Sequence, residues 1–191
     1  MSRVLIVPGW KGSGPDHWQS DWQQRHAEYQ RVEQRDWYNV SVQEWVSALH
    51  NAIVSGEEPA VLAAHSVGCL TIAWWAHLFP EYTGFVSAAL LVAPPDLECP
   101  AERPEPLRDF PPAPRVALPF PSVFVASEND PYMTLSAAAS LARDWECYFI
   151  NAGAAGHINP ASGFGTWPRG ERLLDQLVHW SDSRHEPERA A

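Results

Sequence analysis

Ala63-Ala64-His65-Ser66-Val67-Gly68-Cys69 stands where an apolar run, residues 60–65, passes straight into a second apolar stretch of helical period, residues 67–79. A serine at such a strand-to-helix junction reads as a nucleophile elbow. The sharp turn brings two backbones together, so the positions two before and two after the serine must be small. Gly68 meets that demand, and Ala64 meets it with one methyl more than glycine. At the start of a helix the Ser66 hydroxyl is exposed, and the Val67 N–H points at any oxyanion that forms beside it. The competing reading is that Ser66 only caps a helix.

Outward from the elbow, short aliphatic runs at 3–8, 31–35, 60–65, 86–92, 121–127 and 145–150 alternate with helical stretches, the pattern of a parallel sheet covered on both faces. Trp18, Trp22, Arg25 and Tyr29 fall on one helical stripe, entered through Ser13-Gly14-Pro15-Asp16 with the serine-to-acid spacing of a capping box. Ser41-Val42-Gln43-Glu44 is a second capping box, and Val42, Trp45, Val46, Leu49 and Ile53 continue it as an amphipathic helix. Further helices are predicted at 67–79, 134–143 and 167–180. Residues 94–121 break the rhythm, because they hold 10 of the 18 prolines: Pro94, Pro95, Pro100, Pro104, Pro106, Pro111, Pro112, Pro114, Pro119 and Pro121. Proline propagates neither a helix nor a central strand, so this segment reads as a long ordered loop bordering a cleft. One domain over 1–180 and a polar tail over 181–191 account for the chain.

The 191 residues suit a single domain, and 46% apolar with 12% aromatic residues can build a core. A formal charge of −10 argues against a nucleic-acid partner. Cys69, Cys99 and Cys147 are an odd set without a C-x-x-C pair, so neither a disulfide framework nor a zinc site of ordinary spacing is expected, and a reducing cytoplasm is the default location. No run approaches the roughly 18 apolar residues of a membrane span. No metal or organic cofactor is called for.

A serine nucleophile needs a base. Of the eight histidines, His26, His50, His77 and His179 fall on helices, His185 in the tail, and His65 on the strand facing away from the serine. His157 sits in Asn151-Ala152-Gly153-Ala154-Ala155-Gly156-His157-Ile158-Asn159, a small-residue loop after the last strand that can carry an imidazole over the sheet edge. A carboxylate must then orient the imidazole. Asp130, in Ser127-Glu128-Asn129-Asp130-Pro131, is preferred, with Glu128 and Asp96 as competitors. Serine, acid, histidine is the chain order of α/β-hydrolases.

The loop Pro8-Gly9-Trp10-Lys11-Gly12-Ser13-Gly14 follows the first strand and would supply the second oxyanion N–H, from Trp10. It admits a rival reading. Gly9, Gly12 and Gly14 form a G-x-x-G-x-G loop with Asp36 22 residues beyond Gly14, near the spacing of a dinucleotide site. Against a reductase, Lys11 is the only lysine, so no Tyr-x-x-x-Lys pair exists.

PGWKGSGPDHWQSDW at 8–22, AHSVG at 64–68, VFVASENDPY at 123–132 and GHIN at 156–159 together resemble the small serine hydrolases related to retinoblastoma-binding protein 9 and the bacterial YdeN-type proteins. The resemblance spans nearly the whole chain. It implies a compact α/β-hydrolase with a six-stranded, mainly parallel sheet in the order 2-1-3-4-5-6, with Ser66 as nucleophile, Asp130 as acid and His157 as base. Two departures stand out. Ala64 replaces the family's glycine, and Leu97-Glu98-Cys99-Pro100-Ala101 lacks the glutamate of the retinoblastoma-binding L-x-C-x-E motif, so that partner is not transferred.

The expectation is therefore hydrolysis of a small ester or amide through an acyl-enzyme, with Trp10 and Val67 holding the oxyanion. His17, His65, Leu107 and Phe110 are candidate cleft-lining residues, His17 alternatively a support for Trp10. Trp74 and Trp75, on the helix after the elbow, are assigned to packing. The alternative function is a catalytically silent interaction module on the same fold.

Overall fold

The computed structural model describes residues 3–98 and 103–185. Cys99 and the stretch to Ala101, and the tail beyond residue 185, lie outside the described residues. Six strands, β1 (Arg3–Val7), β2 (Tyr29–Arg31), β3 (Ala60–His65), β4 (Val86–Val92), β5 (Ser122–Ala126) and β6 (Tyr148–Asn151), form one sheet in the order 2-1-3-4-5-6. Every neighbouring pair is parallel. The connecting helices are α1 (Trp18–Arg25), α2 (Val42–Val54), α3 (Val67–Leu78), α4 (Leu135–Asp144) and α5 (Pro168–His185).

The two-residue period of a strand divides the core into two layers. Leu5, Val7, Leu62, Ala64 and Leu91 point to the face covered by α2, α3 and α4, where Trp45, Leu49, Ile72, Trp75 and Leu141 are buried. Val4, Ile6, Val61, Ala63, Leu90 and Val92 point to the other face, where Trp18 and Trp22 of α1 and Leu174 of α5 meet them. Central strands buried on both faces have to be apolar throughout, and β3 is fully buried along its length. Trp75 is completely buried and Trp74 packs against the same core, while neither lines the cleft.

Several elements depart from the sequence reading. Tyr29 is not on the first helix, which ends at Arg25 because His26 turns to extended backbone, and Tyr29 starts β2. The cap of that helix is His17, whose Nδ1 accepts the Gln19 N–H at 3.2 Å, and not Ser13. The last strand begins at Tyr148 and not at 145, since Trp145 closes α4 and Glu146 turns the chain with φ +55°. Helix α5 runs on through Ser181, which is buried, to His185, so the expected tail is helical at its start. Among the described residues no helix is long and apolar enough to cross a membrane.

Candidate active site

The order 2-1-3-4-5-6 reverses between β1 and β3, and open parallel sheets bind ligands at the carboxyl ends of strands flanking such a switch. Ser66 sits there between β3 and α3 with φ +54° and ψ −127°, a conformation side chains avoid. Two glycines let the chains close on it. A Cβ on Gly68 would lie 2.3 Å from the Val7 carbonyl oxygen, and one on Gly9 would lie 2.8 Å from the Ser66 Cβ. Gly9 is thus spent on packing against the serine, and the Cβ position of Gly12 is taken up by the Trp37 ring. Asp36 accepts the N–H groups of Tyr38 and Asn39 and the Asn39 amide, contacts that hold its carboxyl below its ordinary pKa. The glycine loop and Asp36 therefore have structural uses that owe nothing to a dinucleotide.

His157, from the loop after β6, reaches the elbow. Its Nδ1 lies 3.0 Å from both carboxylate oxygens of Asp130, which follows β5, and its Nε2 lies 3.1 Å from Ser66 Oγ. A carboxylate only accepts, so Nδ1–H donates to Asp130 and the Nε2 lone pair is left for the Ser66 hydroxyl proton. The His157 and Asp130 side chains are 9% and 3% exposed. Asp130 also accepts the Tyr132 N–H at 2.9 Å. The two competing acids are occupied elsewhere and exposed: Glu128 accepts the Asn151 amide, and Asp96 accepts the Glu98 N–H.

The loop that carries His157 is tied down by small polar residues in and beside the SEND and GHIN stretches to which the sequence pattern assigns no role. Ser127 Oγ accepts the Ala155 N–H at 2.9 Å and donates to Asn129 Oδ1, which also accepts the Gly156 N–H at 2.7 Å. Ser162 Oγ accepts the His157 N–H and donates to Asn159 Oδ1. Gly156, with φ +55°, has its Cβ position filled by Ser162. His65 adds a further tie, since its Nε2–H donates 2.9 Å to the carbonyl oxygen of His157 itself. From below, Trp18 Nε1–H donates to the Ile158 carbonyl.

Gln19 does the equivalent for the loop after β1. Fully buried, it donates to the Ala63 and Val7 carbonyls at the ends of β3 and β1 and accepts the Ser13 hydroxyl at 2.6 Å. Arg31 completes the support, its guanidinium donating to the Gly12 and Ser13 carbonyls and to Ser20. Neither the Trp10 nor the Val67 N–H has an acceptor among the described residues.

These elements enclose a cleft of about 270 Å³ that Ser66 shares with His17, His65, His157, Tyr132, Trp10 and Lys11. The proline-rich segment contributes Pro95, Pro104 and Leu107 to its wall. Phe110 does not belong there: it is fully buried in the core, and its carbonyl is held by the Arg103 guanidinium. His17 and His65 are buried side by side, ring centroids 4.7 Å apart. Desolvation, then the positive charge of Arg31, pushes His17 down to about 3, and burial holds His65 well below its ordinary value. Burial thus disfavours the imidazolium form of both, which keeps extra positive charge away from the His157 imidazole. The His17 Nε2 has no partner among the described residues.

The model of the serine hydrolase family matches residues 4–176. The chain belongs to that family. A YdeN-like hydrolase of Pectobacterium atrosepticum superposes with a TM-score of 0.80 at 31% identity, over 96% of this chain and 92% of that one. The ydeN product of Bacillus subtilis superposes at 0.75 and 17% identity, over 94% and 100%. Est1E of Butyrivibrio proteoclasticus, solved with ferulic acid bound, superposes at 0.63 and 11% identity, over 96% and 89%, and supports the fold alone. Among curated proteins none matches this sequence significantly.

Proposed function

We propose that this serine hydrolase cleaves a small carboxylic ester or amide through an acyl-enzyme on Ser66, with His157 as base and Asp130 as its orienting acid. The observation that carries the reading is the unbroken hydrogen-bond relay from Ser66 Oγ to Asp130, 3.1 Å and then 3.0 Å, opening on a cleft at the sheet's switch point. As Ser66 Oγ bonds to the substrate carbonyl carbon, its proton passes to His157 Nε2 and the carbonyl electron pair moves onto oxygen. The N–H groups of Trp10 and Val67, without an acceptor among the described residues and the latter at the start of α3, suit the role of oxyanion donors. When the tetrahedral carbon collapses, the bond to the leaving atom breaks and Nε2 returns the proton to it. Water then repeats both steps and frees the acid. Asp130 holds the productive tautomer throughout and stabilises the imidazolium.

His65 acts at one remove, by fixing the main chain of His157. The cleft volume favours a small substrate over a polymer. A panel of p-nitrophenyl esters graded by acyl length, run beside aminoacyl arylamides with wild type and Ser66→Ala, tests the proposal and decides between ester and amide. Turnover that disappears in Ser66→Ala supports it. Equal turnover by the two proteins, or a folded wild type inert toward every substrate, would overturn it, the latter in favour of a silent interaction module.

A further inference from the structure

The cleft's charge is opposite to the chain's. The chain carries −10, yet among the described residues Lys11 is the one formally charged side chain on the cleft wall once the histidines are taken as neutral, and it is the only lysine in the sequence. Its position is built. The Lys11 backbone has φ +70° and is held by its N–H to the Trp37 carbonyl at 3.0 Å, and its Nζ lies 4.1 Å over the Trp10 ring. Trp10 is itself fixed through Nε1–H to the Tyr38 carbonyl. Directly behind the same loop lies the half-buried Arg31 guanidinium, satisfied by the Gly12 and Ser13 carbonyls. Arg25, Arg35 and Arg115 all make ion pairs with carboxylates, whereas among the described residues neither Lys11 nor Arg31 has a carboxylate within ion-pair distance. Two cations, Arg31 offset in part by the nearby Glu33 carboxylate, therefore lie at the loop that would hold the oxyanion.

We infer that the substrate's acyl part carries an anionic group, a carboxylate at the far end of a short chain, which Lys11 receives. This rests on the hydrolase reading and deepens it. The anion belongs to the acyl side because the leaving atom must lie against His157 Nε2 to be protonated, while Lys11 stands on the loop of the proposed oxyanion donor Trp10. A cleft with low-dielectric walls concentrates the field of a single cation, so an anion is drawn locally against the repulsion of the whole chain. Placing the cation on an aromatic face also restricts its motion, which reduces the ordering lost on binding.

The test compares kcat/KM for p-nitrophenyl hemiglutarate with that for p-nitrophenyl hexanoate, using the ratio so that any general loss of activity cancels. The wild-type ratio is expected to exceed one by about fivefold or more at low salt and to fall as sodium chloride is raised. Lys11→Gln should lower the ratio by about fivefold, and Lys11→Glu should bring it below one. A third ester, 3-carboxy-4-nitrophenyl hexanoate, carries the anion on the leaving group and should show a smaller Lys11-dependent preference. A ratio unchanged by both Lys11 substitutions, or a larger effect with the leaving-group anion, would overturn the inference while leaving the hydrolase reading intact. A wild type that cleaves none of the three would overturn both.

Discussion

Acidification should destabilise the fold through two histidines that are kept neutral beneath the active site. In the unfolded chain, imidazoles take up protons below about pH 6.5. In the folded chain His17 does so only at about 3, and His65 also lies well below its ordinary value, because both are cut off from water. Between those limits the unfolded state binds more protons. The stabilisation is complete above about pH 6.5 and is lost progressively as pH falls toward the folded-state values. His17 contributes a slope of about 1.4 kcal/mol per pH unit in that window. From about pH 7.5 to about pH 4.5, His17 alone should remove about 3 kcal/mol, and His65 acts in the same direction. That is a large share of the roughly 5–15 kcal/mol available to a domain. Urea unfolding at the two pH values measures the loss. His17→Asn, whose side chain can still cap α1, should reduce the pH-dependent part by about 3 kcal/mol whatever it does to stability at neutral pH. An identical pH dependence in wild type and His17→Asn would refute the burial argument.

Asp130→Asn should lower kcat by up to about 10⁴-fold by favouring the wrong imidazole tautomer, while Glu128→Gln and Asp96→Asn should have mild effects in the same ester assay. Gly9→Ala places a methyl 2.8 Å from the Ser66 Cβ, so activity should fall by about a hundredfold with the far-ultraviolet circular dichroism spectrum retained. Leu107→Ala should reorder the acyl-length preference, because Leu107 is on the cleft wall. Phe110→Ala should instead cost about 3–5 kcal/mol in chemical denaturation and leave that order alone.

Much of this arrangement is legible in the residue pattern because a doubly covered parallel sheet demands it. β1, β3 and β4 are apolar but for one residue each, Arg3, His65 and Ser87, and the capping box at Ser41 and the stripe of α2 mark that helix to within a residue. β2 is misread because it is a three-residue edge strand, Tyr-Gln-Arg, too short and polar to interrupt the helical spacing of Trp18, Trp22 and Arg25. Phe110 is misplaced for a related reason: residues 94–121 have no periodicity, so nothing in the order of residues separates a core aromatic from a cleft aromatic. His65 is legible as a cleft residue, but its tie to His157 and that of Gln19 to Ala63 are not, because each is made by one side chain to a main-chain carbonyl far away in sequence, 44 residues for Gln19 to Ala63 and 92 for His65 to His157. Ser127, Asn129, Asn159 and Ser162 form similar isolated contacts. Their only signal is that three of them lie within or beside the SEND and GHIN stretches, where small polar residues next to a turn often bond to the backbone.

Ser66, hydrogen-bonded to His157 Nε2, should behave as an activated nucleophile. Intact mass measurement of the protein after treatment with a fluorophosphonate, followed by mapping of the modified peptide, tests it most directly. The structure predicts one adduct per chain, on Ser66, forming slowly in His157→Ala and absent in Ser66→Ala. Folded wild-type protein that remains unmodified, or an adduct on any other residue, would contradict it.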